Sequence, residues 1–256
     1  MTGWPRRHGR RRGLGSEMGS DETRTLIVNA DDFGRTRSIN AGVIRAHEDG
    51  IVTSASMMVL WPAAEEASQA VAGSHAALAL GLHLDLAEWR PAGEDWNAVY
   101  ERVPGDDAQA MEAEARRQLE RFRELTGRDP SHLDSHQHAH NHEPLATIAA
   151  ELGAELGVPV RATNPEIAYC GSFYGQGRIG EPLPEAITAD HLVRLIQELP
   201  AGVTELGCHP GIGVGPSESS YNREREQEVA ALCHPLVSDA IRREGVELRS
   251  FADLSA

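Results

Sequence analysis

Two periodicities alternate along this chain. Short apolar and β-branched runs occupy residues 25–30, 53–60, 79–86, 131–134, 158–162, 204–208 and 246–251. Between them, apolar residues return every three or four positions, the signature of helices that bury one stripe. Residues 106–126 are the clearest case: Met111, Ala115, Leu119, Phe122 and Leu125 fall on one face, and Gly127 ends the pattern. The same reading predicts helices over 38–49, 143–156, 188–199 and 223–244, stopped by Gly50, Gly157, Pro200 and Gly245. Runs such as LIVNA are nearly continuous in apolar character. Strands of that kind are buried on both faces and call for a mostly parallel sheet with helices outside it. The expected fold is α/β, with about seven mostly parallel strands in a closed or nearly closed barrel, outer helices, and a single domain.

No internal repeat or linker divides the chain into two cores. Residues 1–20 stand apart, with five arginines, one glutamate and no apolar segment behind them. They are expected to form a disordered basic tail ahead of a domain over 21–256, and Met18 is a candidate for the true start. The chain as a whole carries 24 Lys+Arg against 39 Asp+Glu, a formal net charge of −15, so nucleic acid is not the expected partner. No stretch approaches the roughly 18 consecutive apolar residues of a membrane span, which argues against stable membrane insertion. Cys170, Cys208 and Cys233 are odd in number and widely spaced, without a CxxC pattern. That excludes a disulfide framework and a structural zinc knot, and points to a reducing, cytoplasmic compartment. The apolar helix faces leave room for a homodimer.

Ionisable residues collect at the C-terminal ends of the expected strands, where ligands and catalytic groups sit in α/β folds. Asp31 and Asp32 end the first run, His83 lies near the end of the third, and His136 and His138 follow the fourth. Arg161 ends the fifth and His209 the sixth. Adjacent carboxylates repel unless a cation or a shared proton offsets the repulsion, and Gly34 lets the chain turn so that both face the rim. Their bland alternative is capping of the helix near Ser38. The segment HLDSHQHAHNH holds five histidines and Asp134. An extended chain would put His136, His138 and His140 on one side, a helix would join His136 to His140, and an exposed adventitious metal binder is the third reading. Arg161 is a candidate for binding a substrate hydroxyl or carboxylate, for orienting Asp31, or for a plain surface ion pair. Residues 170–184 read as a long loop over the site, with Tyr174 a candidate substrate contact. Cys208 is expected buried and His209 at the rim. No GxSxG elbow, GxGxxG spacing or Walker lysine is present.

Taken in order, LIVNADDFG, GIVTSASMMV, GLHLDL, HLDSHQHAH and ELGCHPG resemble the YdjC-like carbohydrate deacetylases, a group that includes chitooligosaccharide deacetylases, across nearly all of the chain except its basic tail. The resemblance implies an irregular (β/α) barrel and one divalent metal ion, Mg2+ or Zn2+, that activates water to remove N-acetyl groups from acetylated sugars. It implies Asp32, His83 and His136 as metal ligands and Asp31 as base. His209, with His138 second, is the candidate acid for the departing amine, and His138 is also a candidate substrate contact. The expected substrate is a small acetylated saccharide or glycolipid. The chain departs from the family pattern at Gln137, where a histidine is common, and over 88–105, which is short and rich in Trp, Pro and Gly. Two other classes compete: a metal-dependent hydrolase of another bond, such as a phosphoester, and a non-catalytic metal- or carbohydrate-binding module. The module has no need of a base at Asp31, whereas the phosphoester enzyme would need further carboxylates or cations.

Overall fold

The strand that opens the fold is almost wholly buried, as its apolar run requires: Leu26, Ile27, Val28 and Ala30 are each no more than 1% exposed. A computed structural model describes residues 23–92, 95–215 and 219–254, so the expected basic tail lies outside the described residues. In chain order the elements are β1 (Arg24–Phe33), α1 (Arg37–Glu48), β2 (Ser54–Met57), α2 (Ala64–Gly73), β3 (Ala79–Leu84), β4 (Ala87–Ala92) and β5 (Asp95–Glu101). There follow α3 (Ala108–Thr126), β6 (Leu133–Ser135), α4 (Leu145–Leu156), β7 (Ile167–Cys170), α5 (Ala189–Gln197), β8 (Gly202–Cys208), α6 (Arg223–Leu232), α7 (Pro235–Arg243) and β9 (Glu247–Leu248).

The main sheet runs β6-β3-β2-β1-β8-β7, and β9 lies beside the start of β1. Every pairing in it is parallel. The two end strands, β6 and β7, are not paired with each other, so the α/β barrel is open on that side. Parallel order turns all strand C-termini to one rim, which is what gathers the polar residues there. Helices cover the outside. On α3, Met111, Ala115, Leu119 and Phe122 are buried, Asp107 caps the first turn, and Gly127 closes the helix at φ 69°.

The structure corrects several expected elements. Residues 158–162 are not a strand; one bridge, Leu133 to Val160, holds them beside β6, and β7 supplies the sheet edge instead. The Trp-, Pro- and Gly-rich stretch over 88–105, for which no element was expected, holds an antiparallel hairpin, β4 with β5. Residues 64–73, rich in alanine, form α2. The single helix expected over 223–244 breaks at Cys233 and His234, because Pro235 has no N–H and disfavours helical backbone in the residue before it.

Candidate active site

Strand alternation would send Asp31 and Asp32 to opposite faces. Asp32 itself adopts φ 65°, and the register of β1 against β2 breaks between Ala30 and Phe33. Both carboxylates therefore line one cavity of about 620 Å³, within the range of small-molecule sites. The turn expected at Gly34, which has φ 91°, begins two residues earlier. Left-handed backbone at a non-glycine residue carries strain of the kind concentrated at functional sites. Neither aspartate caps α1, since the Thr36 hydroxyl accepts from the Ile39 N–H at 3.2 Å.

Asp32, His83 and His136 each bring a ligand atom to within 4.8 Å of the others. His136 Nδ1 is 3.2 Å and His83 Nε2 is 3.6 Å from Asp32 Oδ1. That oxygen is buried without a hydrogen-bond donor, while Arg225 holds the other oxygen. Each imidazole also has a carboxylate on its far nitrogen: Asp134 at 2.7 Å from His83 Nδ1, and Glu88 at 3.6 Å from His136 Nε2. A carboxylate on one nitrogen fixes the tautomer and leaves the other lone pair for a cation. Burial raises the Asp32 carboxyl, but Arg225 and His136 outweigh it and hold it well below the usual range. Burial likewise opposes protonation of His136, yet Asp32 and Glu88 lift it to about 9. Around the cavity Asp31, Asp32, Glu88 and Asp134 are all pushed down, and Arg35, Arg90, Arg161 and Arg225 are the guanidiniums that meet them. The proton that these carboxylates hold on His136 is the one a bound cation would displace. The donor set fits a divalent cation. A second grouping, Asp31, His83 and Asp134, is equally close, but there Arg161 already pairs with both carboxylates.

Arg161 is not a surface ion pair, and it is not among the residues that line the cavity. Its guanidinium is fully buried and closes on Asp31 through two bonds of 2.7 Å, on Asp134 at 2.8 Å and on Glu205 at 2.7 Å. Of its three sequence readings, orientation of Asp31 matches this geometry. Burial would raise the Asp31 carboxyl, and the Arg161 charge overrides it and keeps the group below its ordinary value. Asn29 donates to the same carboxylate at 3.0 Å.

The histidine tract takes neither expected geometry. Gln137 and His138 both have φ 53°, so a left-handed turn separates the rings. His136 faces the cavity, His140 turns inward onto Ser135 Oγ at 2.7 Å, and His132 stacks on Phe251 at 3.9 Å. His138 Nε2 lies 3.4 Å from the Tyr169 hydroxyl. His209 lines the cavity with Nε2 3.6 Å from Asp31 Oδ2. Burial pushes His209 down to about 4 and lowers His138, so neither rests as the imidazolium expected from its position. Tyr174 packs edge-on against His209 at 5.2 Å and stacks on Tyr221 at 4.7 Å. Cys208 is fully buried.

Several participants escaped the sequence reading. Arg225 sits in the charged run RERE, which looks like a solvated helix face, yet it and Glu228 are buried. Glu88 and Arg35 carried no motif. Asp134 stood inside the histidine tract and was its most readable signal.

An open α/β barrel with such a cavity at the carboxyl ends of its strands has the layout of a barrel enzyme. Residues 25–243 match the YdjC-like protein family, and the chain belongs to that family. A carbohydrate deacetylase of Geobacillus stearothermophilus is 32% identical over 250 residues, covering 90% of this chain and 98% of that protein. A chitooligosaccharide deacetylase of Serratia marcescens is 32% identical over 251 residues, with 90% and 98% covered. A crystal structure of an Enterococcus faecalis protein named for cellobiose-phosphate cleavage superposes with a TM-score of 0.75 at 25% identity, covering 91% of this chain and all of that one. The family resemblance carried by the motifs is borne out. No helix among the described residues is long and apolar enough to cross a membrane.

Proposed function

We propose that the chain is a carbohydrate deacetylase, a hydrolase that releases acetate from an N-acetylated saccharide or glycolipid with one divalent cation, Mg2+ or Zn2+, held by Asp32, His83 and His136. The observation that carries this reading is the buried Asp32 Oδ1, which lacks a donor and faces two imidazoles braced by carboxylates. The names of the relatives supply the bond class. When bound, the cation supplies Lewis acidity to a water and to the acetamide carbonyl, and three protein ligands leave positions open for both.

The chain's own groups do the rest. Asp31, kept ionised and fixed by Arg161, takes a proton from the attacking water. The water oxygen bonds to the acetyl carbon, the carbon–nitrogen bond breaks, and the nitrogen leaves as an amine once protonated. His209 lines the cavity with its Nε2 3.6 Å from Asp31 Oδ2. It rests neutral, so it serves as a relay from Asp31 to the amine rather than as a preformed acid. His138, tied to Tyr169, is the second choice, and Tyr174 and His138 border the substrate. A phosphoester substrate is disfavoured because Arg35 and Arg225 are closed on Glu88 and Asp32. Three unpaired cysteines accord with a cytoplasmic location.

The test is acetate release from a panel of N-acetylated sugars and glycolipid precursors, before and after metal removal and re-addition. Release that stops with the chelator and returns with the cation supports the reading. No release from any acetylated saccharide by metal-replete protein overturns it.

A further inference from the structure

The hairpin β4–β5 is a separate two-stranded sheet, a unit that is marginal in water by itself. It is fastened to the site at two points. Glu88 pairs with Arg35 and faces His136. One residue on, the Gln137 side chain closes a reciprocal pair with the backbone of Trp89, donating to its carbonyl at 2.7 Å and accepting from its N–H at 2.9 Å. Gln137 is the neighbour of the candidate ligand His136, so this latch fixes the hairpin's position relative to the reacting centre.

The face so fixed is aromatic. Pro91 is opposite Trp96 and Trp89 is opposite Ala98, so Trp89 and Trp96 are diagonal neighbours on one side of the hairpin. Both line the cavity that holds Asp31, Asp32 and His136. They nevertheless remain 39% and 45% exposed, a large area of indole left unburied at the mouth of a polar site. A pyranose ring presents a face of C–H bonds that matches an indole face, while its hydroxyls stay in water.

We infer that Trp89 and Trp96 form a stacking platform for a pyranose ring next to the one that carries the acetamide, with Gln137 as the residue that positions it. The inference deepens the proposed deacetylase reading and rests on it for the identity of the first ring. A substrate of at least two linked rings would then be preferred over a single acetylated sugar.

The test uses glucosamine and its β-1,4-linked disaccharide, which carry no acetyl group and are not turned over. Calorimetric titration of the full-length protein should show the disaccharide binding about tenfold more tightly than the monosaccharide. Trp89→Ala and Trp96→Ala should each bring the two dissociation constants to within about twofold, whereas Trp96→Phe should retain most of the preference. Gln137→Glu, which cannot donate to the Trp89 carbonyl, should reduce the preference and be accompanied by unchanged metal content. Thermal unfolding of each variant shows that it is folded. A parent protein without disaccharide preference, or alanine variants that keep it, overturns the platform. Because acetate release is not read here, failure of the deacetylase reading is seen separately, in the acetylated panel.

Discussion

Arg161 holds both oxygens of Asp31 at 2.7 Å from a position 130 residues away in the chain. The contact keeps the proposed base ionised and turns it toward the cavity, and the same guanidinium also pairs with Asp134 and Glu205. Removing it strands three buried carboxylates. Arg161→Met should destabilise the protein by about 3–5 kcal/mol, which for a chain of this size is a fall in Tm of roughly 10 °C. Arg161→Lys keeps the charge but not the two-pronged geometry. It should remain folded and lose acetate release, as read by calorimetry beside an activity assay. Full activity in Arg161→Lys would contradict the orienting role.

Asp31→Asn preserves shape while removing the proton acceptor. Acetate release should drop by about 10²–10⁴-fold with the bound metal retained, measured by elemental analysis of the same sample. A protein that binds metal and saccharide as before and never released acetate in its parent form would be the binding module instead.

His83 is braced by Asp134 at 2.7 Å. His83→Ala should abolish stoichiometric metal binding, and Asp134→Asn should weaken it about 10–100-fold, both read by competition with a chromogenic chelator. Equal affinity in parent and Asp134→Asn would show that the brace does not act on a ligand.

His209→Ala should slow turnover by about 10²-fold or more if the ring carries the proton to the amine. The loss should be smaller for substrates whose leaving amine is less basic, since these need the proton less. Unchanged turnover would remove His209 from the mechanism.

Glu228 is buried beneath the site, where it accepts from the Tyr221 hydroxyl and the His209 N–H. Burial raises its carboxyl from 4.5 to about 8 against those bonds. The folded state thus holds a proton that the unfolded chain releases, so stability falls as pH rises from about 4.5 to about 8 and levels off beyond. Glu228→Gln, which mimics the protonated form, should flatten that part of the Tm against pH curve. A curve identical to the parent's would show that Glu228 is ionised throughout.

Local pattern carried the helices well: α3 and α4 end at Gly127 and Gly157, both in left-handed backbone, because a helix stop is written in the residues that make it. The alternating strands and the rim residues Asp31, Asp32, His83, His136 and His209 were also legible. Hairpin β4–β5 was not, since Trp, Pro and Gly in a short stretch read as loop until Gln137 is seen holding Trp89. Gln137 and the stretch 88–105, the two places where the resemblance alone implied a departure, meet in that contact. Arg225 was unreadable for a related reason: in RERE, a buried arginine and an exposed one look alike, and only Asp32 on the facing strand distinguishes them.

By itself the sequence determined an α/β barrel, its family, and the residue types at the strand ends, because periodicity, turn residues and apolar runs act over a few neighbours. The tertiary structure alone decided which charges are buried and which groups share a cavity. It put Arg161 against Asp31, turned His140 inward from His136, and set Trp89 beside the candidate ligands. Those outcomes depend on distance through space, where burial removes the water that would otherwise screen every charge alike.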